Sequence, residues 1–120
     1  MRRVLLVEDD YLVMETTKEL LEVLGYEVTA VGDGSGALEA MESAAGSFDL
    51  LLLDLTLPDM TGEELLPRML KLQPGLKVVI CSGAMPDELA LGPRNQIHGF
   101  LNKPFDLHQL REIMATVIAD

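Results

Sequence analysis

An open, doubly wound parallel α/β sheet is the fold this sequence predicts, on two observations. Short runs rich in Val and Leu alternate with amphipathic segments from end to end, and 120 residues hold five such runs. Those runs are apolar at consecutive positions rather than at every second one, the mark of strands covered on both faces.

The strands are expected at 4–7, 28–31, 50–53, 78–81 and 99–101. Between them lie helical stripes. Val13, Thr17, Leu20, Leu21 and Leu24 share one face, and Gly25 supplies a stop. Ala37, Leu38, Met41 and Ala45 form the second stripe, and Leu65, Leu66, Met69 and Leu70 the third. Pro67 falls inside the third, so that helix is expected to start late or to kink near its beginning. Between the fourth and fifth strands Pro86 can open a helix, but Gly92-Pro93 stops it soon after. This fourth helix is expected to be short or irregular, and mobile or only partly helical. Leu107, Leu110, Ile113, Met114 and Val117 form the last stripe, with Asp106 as its N-cap. Right-handed crossovers restrict the ways these pieces assemble. The expectation is one domain over residues 1–120, with nothing left for an output or catalytic domain.

Composition narrows the function. An apolar fraction of 48% argues against disorder. The apolar stretch near the N-terminus is short and is ended by Glu8 and Asp9, so it does not read as an export signal. No apolar run is long enough to cross a bilayer, and the expected compartment is the cytoplasm. The single cysteine, Cys81, closes an apolar run and reads as a buried, inert thiol. A formal net charge of -11 repels nucleic acid, so direct binding to it is not expected.

In open parallel α/β sheets ligands bind outside the carboxyl ends of the strands. After the first strand come Glu8, Asp9 and Asp10; after the third, Asp54; after the fourth, Ser82 and Gly83; after the fifth, Lys103-Pro104. Alone, each has a plain explanation: Asp10 as a helix cap, Ser82 as a turn residue, Lys103 as a solvated side chain. Together they bring carboxylates, a hydroxyl and an ammonium to one edge in compatible roles. Neighbouring carboxylates repel by roughly 3–4 kcal/mol at an effective dielectric near 20, and a cation among them relieves that. Oxygen ligands without His or Cys suit Mg²⁺ (or Mn²⁺). Such a site suits phosphoryl transfer onto a carboxylate, and Asp54, following four leucines of a buried strand, is the best-placed nucleophile.

These residues in this order resemble the receiver domain of two-component response regulators, over the whole chain. The most specific stretch runs from Asp49 to Gly62, with Asp54 at the end of a strand and Pro58-Asp59-Met60-Thr61-Gly62 as a Pro-x-Met-x-Gly loop. The resemblance implies a flavodoxin-like sheet in the order 2-1-3-4-5 with five helices. It implies that Asp54 takes phosphate from a histidine kinase or histidine phosphotransfer protein. It assigns Asp9 as a direct Mg²⁺ ligand, Glu8 through water and the Thr56 carbonyl as a third protein ligand. Lys103 would contact the phosphoryl oxygen, before a cis peptide to Pro104. Ser82 and Phe100 would relay the change to the face formed by helix four, strand five and helix five, where a downstream protein binds. The domain would catalyse only its own phosphorylation and dephosphorylation. Ser82 stands for the commoner Thr, and Phe100 where Tyr is frequent. Thr56 and Ala84 offer no group to orient water, so a long-lived phosphoryl state is expected.

Other readings are weaker. An aspartyl-nucleophile phosphatase would want a second Asp at position 56, where Thr56 stands. Gly32-Asp33-Gly34-Ser35-Gly36-Ala37 superficially fits a dinucleotide-binding turn, but it follows the second strand and leaves Glu8, Asp9 and Lys103 without a role. Within the receiver reading, a free-standing regulator and the excised receiver of a hybrid sensor kinase both remain open.

Overall fold

The computed structural model of the chain describes residues 2–43, 48–55, 57–82 and 97–118, the side chain of Ser82 excepted. Five strands form one parallel sheet: β1 (Arg3–Val7), β2 (Glu27–Val31), β3 (Leu50–Asp54), β4 (Lys77–Ser82) and β5 (Gly99–Asn102). Their order is β2-β1-β3-β4-β5, as expected. Four helices accompany them: α1 (Tyr11–Val23), α2 (Gly34–Ser43), α3 (Gly62–Leu72) and α4 (Leu107–Val117). The C-terminal helix α4 is the one expected as the fifth. The short fourth helix between Pro86 and Gly92 lies outside the described residues.

Strand alternation splits the core in two. Leu5, Val7, Leu51, Leu53, Val78 and Ile80 face α2 and α3, where Ala37, Met41, Leu65, Leu66 and Met69 meet them. Val4, Leu6, Leu50, Leu52, Val79 and Cys81 face α1 and α4, against Leu21, Leu110 and Met114. The four leucines of β3 are all fully buried, two into each core, so the central strand is held from both sides.

Local chemistry sets the helix ends. The Asp10 carboxylate accepts the Leu12 and Val13 N–H groups at 3.0 and 3.2 Å, capping α1. At the other end Gly25, at φ 96, lets Tyr26 N–H reach the Leu21 carbonyl while its own N–H reaches Glu22. Asp106 caps α4 through a reciprocal box with Gln109.

Of the late start or early kink expected for the third helix, the late start does not occur. α3 begins at Gly62 and runs through Pro67, because a capping box between Thr61 and Glu64 secures its first turn ahead of the proline.

Candidate functional site

Strand ends place the site. Pairing of Val7 with Leu53 brings the ends of β1 and β3 side by side. Glu8 and Asp9 follow one, and Asp54 closes the other. Carboxylate oxygens of Glu8, Asp9 and Asp54 all lie within 4.8 Å of one another. Glu8 is 3% exposed and Asp54 7%, whereas Asp9 is open to solvent. The Glu8 N–H donates to the Val31 carbonyl at 3.0 Å, and Asp10 N–H donates to Glu8 Oε2 at 3.2 Å.

Lys103 arrives from the end of β5. Its Nζ donates to Glu8 Oε1 and lies 3.5 Å from Asp54 Oδ2. Burial alone would pull its pKa down, but the Glu8 hydrogen bond and the Asp54 and Glu8 charges outweigh that, and the pKa stands above the usual lysine value. The Lys103–Pro104 peptide is cis. Behind the site Cys81 is buried, and desolvation, reinforced by the Glu8 and Asp54 charges against Lys103, pushes its thiol up to about 12. Cys81 is therefore an un-ionised core residue, not a nucleophile.

The structure thus gathers Glu8, Asp9, Asp54 and Lys103 into one cluster, and it assigns Asp10 to the α1 cap. Phe100 is half-buried on β5, where it packs against the α2–α3 core and lines a groove of ≈ 370 Å³ shared with α4. Thr56, Gly83, Ala84 and the Ser82 side chain lie outside the described residues. Three nearby carboxylates with one ammonium leave a net negative charge, and hard oxygen donors at this spacing suit a small divalent cation.

Asp59 was not legible as a structural residue. Its Oδ1 accepts Gly34 N–H at 2.8 Å, and its Oδ2 accepts the Ser35 N–H and hydroxyl at 2.9 Å each. Those amides hold its pKa below the usual carboxylate value. Asp33 takes the Gly36 N–H at 2.7 Å. The glycine-rich turn is therefore a helix start whose first amides hold the protein's own carboxylates, which removes the donors a pyrophosphate would need.

An open parallel sheet in this order, with carboxylates and a lysine gathered at its carboxyl edge, defines the flavodoxin-like class of α/β proteins. The family model for the response regulator receiver domain matches residues 4–115, and the chain belongs to that family. It is 36% identical over 123 residues to the response regulator receiver protein CpdR of Brucella abortus, covering 99% of each. It is 39% identical over 108 residues to the sensor kinase CckA of the same organism, covering 89% of this chain but 11% of the kinase. Two transcriptional regulators that it also matches are spanned to 51% and 24% of their lengths. Among solved structures, a CheY-like receiver domain from Methanospirillum hungatei superposes with TM-score 0.85 at 33% identity, over 95% of this chain and 90% of that one. The chain is thus a response regulator receiver domain of two-component signalling. No helix among the described residues is long and apolar enough to cross a membrane.

Proposed function

We propose that Asp54 is the phosphoacceptor, taking its phosphoryl group from a phosphohistidine on a histidine kinase or phosphotransfer protein. A carboxylate oxygen of Asp54 attacks phosphorus, the P–N bond of the donor breaks, and its electron pair returns to the imidazole. Asp9 and Asp54 would hold Mg²⁺ (or Mn²⁺) directly, with Glu8 acting through water and the Thr56 carbonyl completing the protein ligands. The cation supplies neutralisation of charge between the carboxylates and the phosphoryl oxygens. Lys103 exchanges part of its contact with Glu8 for a phosphoryl oxygen. Ser82 and Phe100 carry the change to the face made by β5, α4 and the segment before β5, where a protein partner reads it. Beside Lys103 an apolar groove of ≈ 490 Å³ opens between α1 and Pro104-Phe105, flanked by exposed Tyr11 and Leu12. It offers an incoming phosphodonor an apolar seat next to Asp54.

The observation that carries this reading is Asp54 itself: a nearly buried carboxylate at a strand end, with two others within 4.8 Å and an ammonium at 3.5 Å. Incubation with acetyl phosphate and Mg²⁺ tests it by intact mass. The wild type should gain one phosphoryl group and Asp54→Asn none; equal gain in both, or none in the wild type, refutes it. The match to a full-length receiver protein supports a free-standing regulator, and the match to a sensor kinase supports a receiver within a longer phosphorelay protein. The length of the parent reading frame separates these.

A further inference from the structure

We propose that Asp59 is a positioning residue for the phosphoacceptor site: seated on the first amides of α2, it holds in place the loop that leaves Asp54. The inference rests on the reading of Asp54 and its neighbours as a divalent-cation site. Three observations carry it.

First, Asp59 makes three hydrogen bonds to Gly34 and Ser35, residues 25 and 24 positions away, at 2.8–2.9 Å. A carboxylate on the first amides of a ten-residue helix meets the positive end of its dipole. Second, the neighbouring Met60 closes over the same spot. A Cβ added at Gly34 would lie 2.5 Å from Met60 Cγ and 2.6 Å from Sδ, so the bare glycine leaves the Met60 side chain room beside the Asp59 contact. Third, the base of the loop is closed independently. The Leu55 carbonyl accepts Gly62 N–H at 3.1 Å, and a Cβ at Gly62 would lie 2.7 Å from Leu55 Cδ2.

The loop is thus pinned at its base beside Asp54 and again at its tip on α2. The α2 anchor is tied in turn to the other half of the site, because Val31, just before the turn, accepts Glu8 N–H. Asp59 therefore completes a circuit from Glu8 through the start of α2 and back to Asp54. A metal or phosphoryl group above Asp54 meets a wall already in place, and preorganisation of that kind raises affinity without a new contact to the ligand. Anchorage also keeps a further negative charge, on the loop leaving Asp54, compensated by helix amides.

The test compares wild type with Asp59→Ala, Asp59→Asn and Gly34→Ala in the full chain. Mg²⁺ affinity is read from amide NMR shifts without any phosphodonor, and thermal midpoints are read in parallel. Asp59→Ala should weaken Mg²⁺ binding about tenfold, at the low end of outer-shell effects. Asp59→Asn, which keeps an oxygen acceptor suited to a helix start, should stay within about twofold. Gly34→Ala keeps the amides that Asp59 accepts and displaces only the Met60 side chain, so it should bind Mg²⁺ as wild type does. If Asp59→Ala lowers the midpoint but binds Mg²⁺ like wild type, Asp59 is only a helix cap and the proposal is overturned. Should Asp59→Ala not fold, Asp59→Ser, whose shorter side chain cannot hold both amides at once, decides by the same criterion. Absence of Mg²⁺ binding in the wild type would instead sink the cation-site reading and this proposal with it.

Discussion

Lys103 is the cation beside two of the three clustered carboxylates. Its side chain is 24% exposed, and it faces Glu8 and Asp54, whose side chains are 4% and 9% exposed. Removing one partner from such a group strands the others in a poorly solvated place. We expect Lys103→Met to cost about 2–3 kcal/mol at neutral pH, measured by urea unfolding. The pH dependence follows from the direction of the shift. The folded-state pKa of Lys103 is raised above 10.5, so its contribution is complete below that value and is lost as pH rises through the folded pKa. The wild type should therefore lose stability above about pH 10.5 by a component absent from Lys103→Met. An identical alkaline decline in both proteins would contradict this. That Lys103 belongs to the site was legible from its place after the fifth strand. Its tight contact with Glu8 was not, because the partners stand 95 residues apart.

Elements depend on contacts of the same non-local kind. In a parallel ladder a residue's N–H and C=O both bond to the neighbouring strand. At the start of β4, Val78 does this with one residue: its carbonyl accepts His98 N–H at 2.8 Å, and its own N–H donates to His98 Nδ1 at 3.1 Å. The second bond needs a neutral imidazole with the proton on Nε2. Burial first, and then the charge of Lys77, lowers the pKa of His98 below 6.5. A base with a depressed folded pKa stabilises fully above its unfolded value, and that contribution fades as pH falls through the folded pKa. Below about pH 6.5 the Val78 amide should therefore exchange faster than intrinsic chemistry accounts for. His98→Ala should exchange fast at every pH; protection of Val78 unchanged between pH 7.5 and 5 would contradict the latch. The helices show the converse case, where local signals suffice. Gly25, Asp106 and Asp10 mark ends that their own neighbours complete, and Thr61-x-x-Glu64 marks the start of α3 despite Pro67.

Across the whole molecule, a net charge of -11 makes the folded chain repel itself, while three of its carboxylates converge at one edge. Monovalent salt screens the first effect and not the second, since the cluster lies well within a Debye length. Raising NaCl should therefore raise the thermal midpoint without distinguishing wild type from Asp9→Asn. MgCl₂ at equal ionic strength should stabilise wild type further, by about 1.4 kcal/mol at ten times its dissociation constant. Asp9→Asn should lose most of that excess. Equal stabilisation by the two salts would show that the cluster binds no divalent ion.

By itself the sequence determined the sheet, its order once the family resemblance was drawn, and the residues delivered to its carboxyl edge. Consecutive apolar positions, helical stripes and the first polar residue after a strand are patterns among adjacent residues, so they can be read without coordinates. Tertiary structure decided which charges touch, that Asp59 sits on α2 and that His98 completes Val78. Each of those contacts joins groups 20 or more positions apart, and a hydrogen bond across that distance leaves no trace in local periodicity.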